Sequence, residues 1–343
     1  MLRILHVGLG PLGKMMVSDI ARRSGGAFAR VVAAADIDPT LSGKKLSAHV
    51  PECGFDCPIS PTIGAAVASA PGGRAGIDAA LLTTSSDLAK CMPSLRELIA
   101  LGLPVVSTCE ELLYPWLRHP GHAKELQDLC LKHNARILGT GVNPGFMMDT
   151  FPVAATAVCR SVRSVKIWRI QDATPRRIPF QKKIGAGLDD AAFQARINDG
   201  SLRHVGLGES IHFVAHYLGM TIGNWTESIE PVKADRDLSA AIGPIRKGLA
   251  AGVRQVAKAW APGAAATDSP IIQMEFQAAI GQADPHDRVV IDGEPAIDMT
   301  LKGGVHGDIA TSAISLNSIP SLIAAPPGLH TMATIPLVHF ART

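Results

Sequence analysis

Residues 8–13 read GLGPLG, a G-x-G-x-x-G spacing that suits the pyrophosphate of a dinucleotide. The first glycine permits a tight turn, the second lets the backbone approach a phosphate, and the third lets the next helix pack closely on its strand. The N-terminus of that helix offers free N–H groups and the positive end of a dipole. An ordinary glycine turn is the alternative. The predicted cofactor-binding residues here are Gly8, Gly10, Pro11, Leu12 and Gly13.

Asp36 is the second residue suited to a dinucleotide, since it lies 23 residues after Gly13 at the end of an apolar segment. An acidic side chain at that point accepts hydrogen bonds from the ribose hydroxyls of NAD. Thr40, Lys44 and Lys45 follow shortly afterwards and would suit the 2′-phosphate of NADP. The sequence therefore predicts NAD or NADP and leaves the choice between them open.

Three hydroxyl residues, Thr83, Thr84 and Ser85, follow the apolar residues 79–82. Ligands of open α/β sheets bind outside the carboxyl ends of the strands, so these hydroxyls are predicted to contact the cofactor. The alternative is local, because Ser86 or Asp87 would serve as the N-cap of a following helix.

Two adjacent carboxylates, Glu110 and Glu111, follow another apolar strand. A carboxylate that is buried beside a nicotinamide has its pKa raised by desolvation and can transfer protons near neutral pH. One of the two would then point into the cleft while the other caps a helix or faces solvent. Favourable interaction of both acids with a helix dipole is the alternative.

Residues 139–149 read GTGVNPGFMMD, and their small and turn residues allow close approach to a ligand. The Asn143 amide can donate to and accept from a nicotinamide carboxamide. Val142, Phe146 and Met147 are predicted to form an apolar wall of the substrate pocket. An interdomain hinge is the alternative reading of this Gly- and Pro-containing segment.

Two later segments complete the predicted pocket. The stretch 176–187 carries four cations that would bind a substrate carboxylate or a cofactor phosphate, with a solvated loop as the alternative: Arg176, Arg177, Lys182 and Lys183. His204 lies in a glycine-flanked loop, although a lone histidine is more often structural. We place His204 and Trp168 in the substrate pocket, and we predict no metal site.

The elements that position the N-terminal residues alternate between strands and helices. Strands are predicted at 3–7, 29–36, 76–83, 104–107 and 136–139, and helices at 13–23, 88–101 and 122–133. Such alternation is typical of a parallel sheet with helices on both faces, which is the Rossmann arrangement.

After Pro144 the pattern changes to consecutive strands, which favours an α+β domain with an antiparallel sheet. Strands are predicted at 164–172, 225–232, 271–280, 288–291 and 296–301, with a hairpin turn at 292–294 and helices at 209–218 and 236–260. A final helix at 308–323, with Asp308 as N-cap, is predicted to return to the Rossmann domain. The expected domains are 1–145, 146–307 and 308–343.

The composition excludes several classes of protein. A net charge of +3 and only 4% aromatic residues argue against a nucleic-acid partner. No apolar segment approaches the length of a membrane span, and the N-terminal one is too short for a signal peptide. The six irregularly spaced cysteines are typical of reduced thiols, so a cytoplasmic location is expected.

Taken together, GLGPLG, STCEELLYP, GTGVNPGFMMD, RRIPFQKKIGAG, HVGLGES and GGVHGDIATSAISLNSIP resemble the 2,4-diaminopentanoate dehydrogenase group, which includes the native amine dehydrogenases. The group belongs to the dihydrodipicolinate reductase-like superfamily. The resemblance implies a Rossmann domain, an α+β second domain, a homodimer and reversible oxidative deamination with NAD(P). It also implies that Glu110, at the position of the group's catalytic glutamate, is the acid/base.

The expected reaction is therefore oxidative deamination of an amine, or in reverse the reductive amination of a ketone or aldehyde with ammonia. Three alternatives remain: an imine or C=C reductase like the dihydrodipicolinate reductases, a 2,4-diaminopentanoate dehydrogenase proper, or a catalytically silent NAD(P)-binding sensor. The segment IWRIQDATPRRIPFQKKIGAG lacks the paired histidines of true dihydrodipicolinate reductases, which disfavours the first alternative.

Overall fold

The computed structural model describes residues 1–23 and 27–342, and the chain forms two compact units. Unit 1 comprises Met1–Phe146 with Gly307–Thr343, and unit 2 comprises Met147–His306. Thr343, the last residue of the predicted C-terminal segment, lies outside the described residues.

The N-terminal part of unit 1 alternates between strands and helices as predicted. Its elements are β1 (Leu2–Val7), α1 (Pro11–Arg22), β2 (Ala29–Ala35), α2 (Leu46–His49), β3 (Ile59–Ser60), α3 (Ile63–Ser69), β4 (Ala79–Leu82), α4 (Leu88–Ala100), β5 (Pro104–Ser107), α5 (Pro120–His133) and β6 (Arg136–Gly139). The short elements α2, β3 and α3 were not predicted from the sequence.

Unit 2 contains α6 (Thr150–Ala155), β7 (Ser161–Asp172), α7 (Ile178–Lys183), α8 (Asp190–Asn198), α9 (Leu207–Tyr217), β8 (Asn224–Lys233), β9 (Leu238–Ala240), β10 (Gly243–Ile245), β11 (Ala250–Trp260), β12 (Ile272–Ala279), β13 (His286–Glu294) and β14 (Ile297–Lys302). Six strands form one sheet in the order β14-β13-β7-β12-β11-β8, and β9 pairs with β10. Helix α9 packs on β11 and β12.

The C-terminal segment belongs to unit 1, where it forms α10 (Gly307–Ala324) and β15 (Gly328–His330). The resulting seven-stranded sheet has the order β15-β6-β5-β4-β1-β2-β3, and all its pairs are parallel. The predicted fold class is confirmed: a parallel Rossmann sheet, a second sheet domain, and a last helix that returns to the Rossmann sheet.

Apolar cores cover both faces of the parallel sheet, which explains why its strands read as continuous apolar runs. On one face Leu5, Val105 and Ile137 pack with residues of α3, α4 and α5. On the other face Ile4 and Leu81 pack with residues of α1 and α10. Helix α10 is also held to α1 by a hydrogen bond of 2.5 Å from the Ser312 hydroxyl to Asp19.

The large sheet is antiparallel as predicted except at one place, where β7 and β12 pair in parallel. Three other predictions for unit 2 and α10 are wrong. Residues 236–260 form β9, β10 and β11 rather than a helix. Strand β13 continues through the predicted turn at 292–294, so its connection to β14 lies at residues 295–296. Asp308 lies in the first turn of α10, which begins at Gly307, and not at the N-cap.

Candidate active site

Five neighbouring strands of the parallel sheet end in one row, since their last paired residues are in register: Ala35, Val7, Leu82, Ser107 and Gly139. The segments that follow these strands therefore emerge at one edge, which is where open α/β sheets bind ligands. The predicted residues lie in those segments in the spatial order Asp36, Gly8, Thr83, Glu110 and Asn143.

The glycine turn is shaped for close packing at both of its ends. Gly8 has φ +94°, and a Cβ there would lie 2.8 Å from the Thr83 carbonyl oxygen. A Cβ on Gly13 would lie 2.0 Å from the Gly8 carbonyl oxygen, so both positions require glycine. Gly10 is different, because a Cβ there would have no described atom within 4 Å. The turn therefore has open space above Gly10, where a phosphate can approach the backbone.

The start of α1 supports the same interpretation. Gly10 is the N-cap, and Pro11 is the first helical residue. Within the described chain no side chain caps this helix, so the first-turn N–H groups of Leu12 and Gly13 are not used by a capping side chain. A helix N-terminus of this kind attracts phosphate through its N–H groups and dipole.

Asp36 holds the glycine turn in place. Its Oδ2 accepts the Leu9 N–H at 2.6 Å, and its Oδ1 accepts the Asp38 N–H at 2.8 Å. Each carboxylate oxygen has a further lone pair, so ribose hydroxyls can still be bound.

The hydroxyl and N–H of Thr40 donate to Asp38 and lower the pKa of its carboxyl group. Lys45 pairs with Asp56 at 3.4 Å. Lys45 is thus paired with an acidic residue, and the edge itself carries two carboxylates, those of Asp36 and Asp38.

The hydroxyl residues after β4 are bound within the protein. The Thr83 hydroxyl donates to the Gly8 carbonyl at 2.7 Å and so supports the glycine turn. The Ser85 hydroxyl accepts the Asp87 N–H at 3.2 Å, and the Thr84 hydroxyl contacts the Cys91 sulfur at 3.7 Å although its side chain is exposed. Asp87 is the N-cap of α4 and accepts the Lys90 N–H. The capping alternative therefore holds for Asp87, and only Thr84 of the three presents an exposed side chain.

Glu110 and Glu111 begin a short 3₁₀ turn, Glu110–Leu112, after β5. Glu111 Oε2 accepts the Leu88 N–H at the start of α4 and contacts the His119 Nε2, both at 2.9 Å. Glu110 is half-buried, and its Oε2 atom is buried. The two carboxylates therefore differ in surroundings, and Glu111 is the one bound to a helix N-terminus.

The end of β6 approaches the Glu110–Leu112 turn closely, since a Cβ on Gly139 would lie 2.6 Å from the Leu112 backbone. Both amide atoms of the Asn143 side chain are buried and lack a hydrogen-bond partner among residues 1–23 and 27–342. Val142 is buried, and its N–H donates to the Thr311 hydroxyl. Phe146 packs against the core that contains α1 and α10. An amide such as that of Asn143 requires a polar ligand or water.

In unit 2, Trp168 and His204 lie on opposite faces of the six-stranded sheet. The His204 ring stacks on Phe276 with ring centroids 4.3 Å apart. Trp168 pairs with Glu275, the neighbour of Phe276, and successive side chains of a strand point to opposite faces. Trp168 is instead covered by the Arg288 guanidinium at 5.6 Å. Trp168 and His204 therefore do not share a face of this sheet, and their predicted place in the substrate pocket stays a prediction.

His204 has an unusual environment. Its backbone N–H donates to Gln255 Oε1 at 2.7 Å, while its Nε2 atom is buried and unpartnered within the part of unit 2 that the structure describes. Burial, together with the nearby cations Lys183 and Arg169, holds the pKa of this imidazole well below its usual value. His204 is therefore neutral and has a free nitrogen for a polar ligand.

The four predicted cations are not equivalent. Arg176 is buried, with its guanidinium 4.0 Å from the Phe180 ring centroid, whereas Arg177 and Lys182 are exposed and Lys183 is half-buried. Met147 is buried at the start of unit 2. Solvent exposure, as in the solvated-loop alternative, therefore fits only Arg177 and Lys182, although Lys182 lies in α7 and not in a loop.

A buried ion pair on β7 was missed from the sequence. Arg169 is 2% exposed, and its Nη1 lies 2.7 Å from Oδ1 of Asp287. Burial lowers the pKa of Arg169, while Asp287 opposes that shift. The signal was present, because Arg169 shares the strand face of the apolar residues Val165 and Ile167. A charged residue at a buried position of a strand predicts an oppositely charged partner that is also buried.

This fold and this site define the class: a dinucleotide-dependent oxidoreductase. A sequence profile of the 2,4-diaminopentanoate dehydrogenase C-terminal domain matches residues 146–342. A 2,4-diaminopentanoate dehydrogenase from Acetoanaerobium sticklandii is 31% identical over 262 residues, which are 76% of this chain and 74% of the relative. The chain belongs to the 2,4-diaminopentanoate dehydrogenase family, which confirms the predicted family and the prediction of an oxidoreductase.

Solved structures support the fold. The amine dehydrogenase from Mycobacterium smegmatis superimposes with a TM-score of 0.81 at 19% identity, covering 99% of this chain and 97% of that one. A dehydrogenase from Bordetella pertussis, solved with NADH and UDP-GlcNAcA, has a TM-score of 0.53 at 15% identity and covers 94% and 88%. In the described part of this chain, no helix is long and apolar enough to cross a membrane.

Proposed function

We propose that the protein is an NAD(P)-dependent amine dehydrogenase that interconverts an amine with a ketone or aldehyde and ammonia. The observation that carries the proposal is the position of Glu110, which follows β5 at the edge that also holds the glycine turn. Family membership supports the C–N chemistry, since the relative from Acetoanaerobium sticklandii is named a 2,4-diaminopentanoate dehydrogenase.

The residues at this edge fit a nicotinamide dinucleotide. Asp36 would bind the adenosine ribose, the open space at Gly10 would take the pyrophosphate, and Asn143 would bind the carboxamide. Neighbouring strands are ~4.8 Å apart, so β5 lies ~14 Å from β2, which leaves room for an extended dinucleotide. When bound, the cofactor supplies the acceptor or donor of hydride.

Glu110 would supply the proton transfer. In the deamination direction, its carboxylate would take a proton from the substrate ammonium and pass it to solvent, and the neutral amine would then give hydride to the oxidised nicotinamide and become an iminium cation. The carboxylate regenerated by that proton release would stabilise the cation and would later accept a proton from the water that attacks it. A half-buried carboxylate is suited to this role because partial exclusion of water strengthens its interaction with the cation.

A screen of amines, including 2,4-diaminopentanoate, with NAD⁺ and NADP⁺ tests the proposal by the absorbance of the reduced cofactor. Glu110→Gln keeps the size of the side chain but cannot accept the proton, so we expect turnover to fall about 10²–10⁴-fold. Cofactor binding, followed by fluorescence quenching, should be retained. Near-wild-type turnover in Glu110→Gln would refute the assignment.

Two other functions make different predictions. An imine or C=C reductase would consume no ammonia, so ammonia-independent reduction of a cyclic imine would favour it. A cofactor-binding sensor would turn over no amine at all. The half-buried His204 favours an enzyme, because its buried Nε2 atom is a polar group available to a small-molecule ligand other than the cofactor.

We extend the proposal to the assembly and the location of the protein. The sheet face that carries Trp168 lies opposite the face on which His204 stacks, and it presents Lys166 and Arg254. This face is proposed as the interface of a homodimer. The six cysteines are free, in line with the proposed cytoplasmic location.

A further inference from the structure

Glu111 links three segments that are distant in sequence. Its Oε2 accepts the Leu88 N–H of α4 and contacts the Nε2 of His119, the N-cap residue of α5, each at 2.9 Å. The Glu111 side chain is 15% exposed and that of His119 is 25% exposed. Leu88 N–H is one of the donors that a helix leaves unpaired at its N-terminus, and the negative charge also interacts favourably with the helix dipole.

Further bonds hold the same turn against the segment after β4. The Glu111 N–H donates to the Ser86 carbonyl at 3.3 Å, and the Cys109 thiol donates to the same oxygen at 3.3 Å. The Thr108 N–H donates to the Leu82 carbonyl at 3.1 Å. Glu110 therefore has anchored residues on both sides.

The geometry of the turn relates the directions of the two carboxylates. A 3₁₀ helix has 3.0 residues per turn, so the side chains of Glu110 and Glu111 diverge by about 120°. Anchoring Glu111 to α4 and α5 thereby fixes the direction in which Glu110 leaves the backbone. We propose that Glu111 is a positioning residue that acts through Glu110, an inference that rests on the proposed role of Glu110 as the acid/base.

The test is a double-mutant cycle of Glu110→Gln and Glu111→Ala, measured as kcat and KM for amine oxidation. A misplacement of about 1 Å at a reacting group costs on the order of 10²-fold in rate. We expect Glu111→Ala to lower kcat by about that factor, with KM for the cofactor changed less than about threefold. In the Glu110→Gln background, the same substitution should have almost no further effect, because residues that act as one unit are non-additive.

Asp87→Ala is the matched control. Asp87 also places a carboxylate at the N-terminus of α4, where it accepts the Lys90 N–H at 3.2 Å. Unlike the bond from Leu88 to Glu111, this bond does not connect α4 to the Glu110–Leu112 turn. Both alanine variants should lower the unfolding temperature, whereas only Glu111→Ala should lower kcat. Glu111→Gln is the second variant if Glu111→Ala fails to fold; its amide oxygen still accepts the Leu88 N–H, so an intermediate loss of about 10-fold is expected.

The outcomes separate this inference from the proposed function. If Glu110→Gln keeps its activity, the catalytic assignment fails, and the positioning role fails with it. If Glu110→Gln is inactive but both Glu111 variants keep wild-type kcat, only the positioning role is overturned. Equal factors for Glu111→Ala in both backgrounds would also overturn it, because Glu111 would then act independently of Glu110.

Discussion

Replacing Asp36 with asparagine should change which cofactor the enzyme uses. The carboxylate now accepts the Leu9 N–H at 2.6 Å and the Asp38 N–H at 2.8 Å and would also accept a ribose hydroxyl. The asparagine would keep one acceptor oxygen for the glycine turn but would lose the charge. Hydrogen bonds to charged groups are worth about 1.5–3 kcal/mol, so the KM for NAD should rise about 10- to 150-fold.

The effect on NADP should be opposite in sign. A carboxylate about 4 Å from a unit negative charge is repelled by about 1 kcal/mol in water and more where the dielectric constant is lower. Losing that charge should tighten NADP binding at least about fivefold. Asp38 limits the gain, because Thr40 lowers the pKa of Asp38 and keeps that second carboxylate ionised.

The assay is steady-state amine oxidation with each cofactor over a range of concentrations. Asp38→Asn is the matched control, since it removes a charge from the same edge without touching the bond to Leu9; it should improve NADP use and leave the KM for NAD unchanged. If Asp36→Asn left the KM values for both cofactors at wild-type levels, Asp36 would have no part in ribose recognition.

Three further predictions concern the glycine turn, the core beneath it and the assembly. Gly13→Ala should lower the unfolding temperature, because its Cβ would meet the Gly8 carbonyl at 2.0 Å. Gly10→Ala should leave the unfolding temperature unchanged and raise the KM for NAD(P). Thermal melts and kinetics in which the two variants behave alike would contradict this prediction. Burial lowers the pKa of His6 to about 4 against the attraction of Asp36, so the folded state keeps the imidazole neutral. The unfolding free energy should therefore decrease by ~3 kcal/mol as the pH falls from 6.5 toward 4, and urea titrations of His6→Leu should lack that decrease. Trp168→Glu should convert the proposed dimer to monomers in light scattering, and a monomeric wild-type protein at micromolar concentration would rule out the interface.

The parallel sheet was predictable because its signals are local. Apolar strands, helical spacing and the GLGPLG turn lie within short windows, and they agree with one another. The glycine roles at Gly8 and Gly13 also followed from the spacing, since the steric demand of the turn is set by a few neighbouring residues.

Strand β11 shows where local signals fail. Its sequence, AAGVRQVAKAW, is rich in residues that favour helices, and residues 236–260 were predicted as a helix. In the structure β11 lies between β8 and β12 and is mostly buried, and a Cβ on Gly252 would lie 1.9 Å from the Ala278 carbonyl. Small residues here allow close packing between strands, so the tertiary environment overrides the local preference.

The two adjacent carboxylates show the same limit within the site. In the sequence Glu110 and Glu111 are equivalent acids after one strand, and no local feature separates them. The Glu111 carboxylate is distinguished by bonds to residues outside its own turn. Leu88, whose N–H it accepts, lies 23 residues before Glu111, and His119 lies eight residues after it. Because the chain must fold before those donors reach Glu111, the proposed division of roles is a property of the tertiary structure. The proposed catalytic role of Glu110 therefore depends on α4 and α5 as much as on the strand that precedes it.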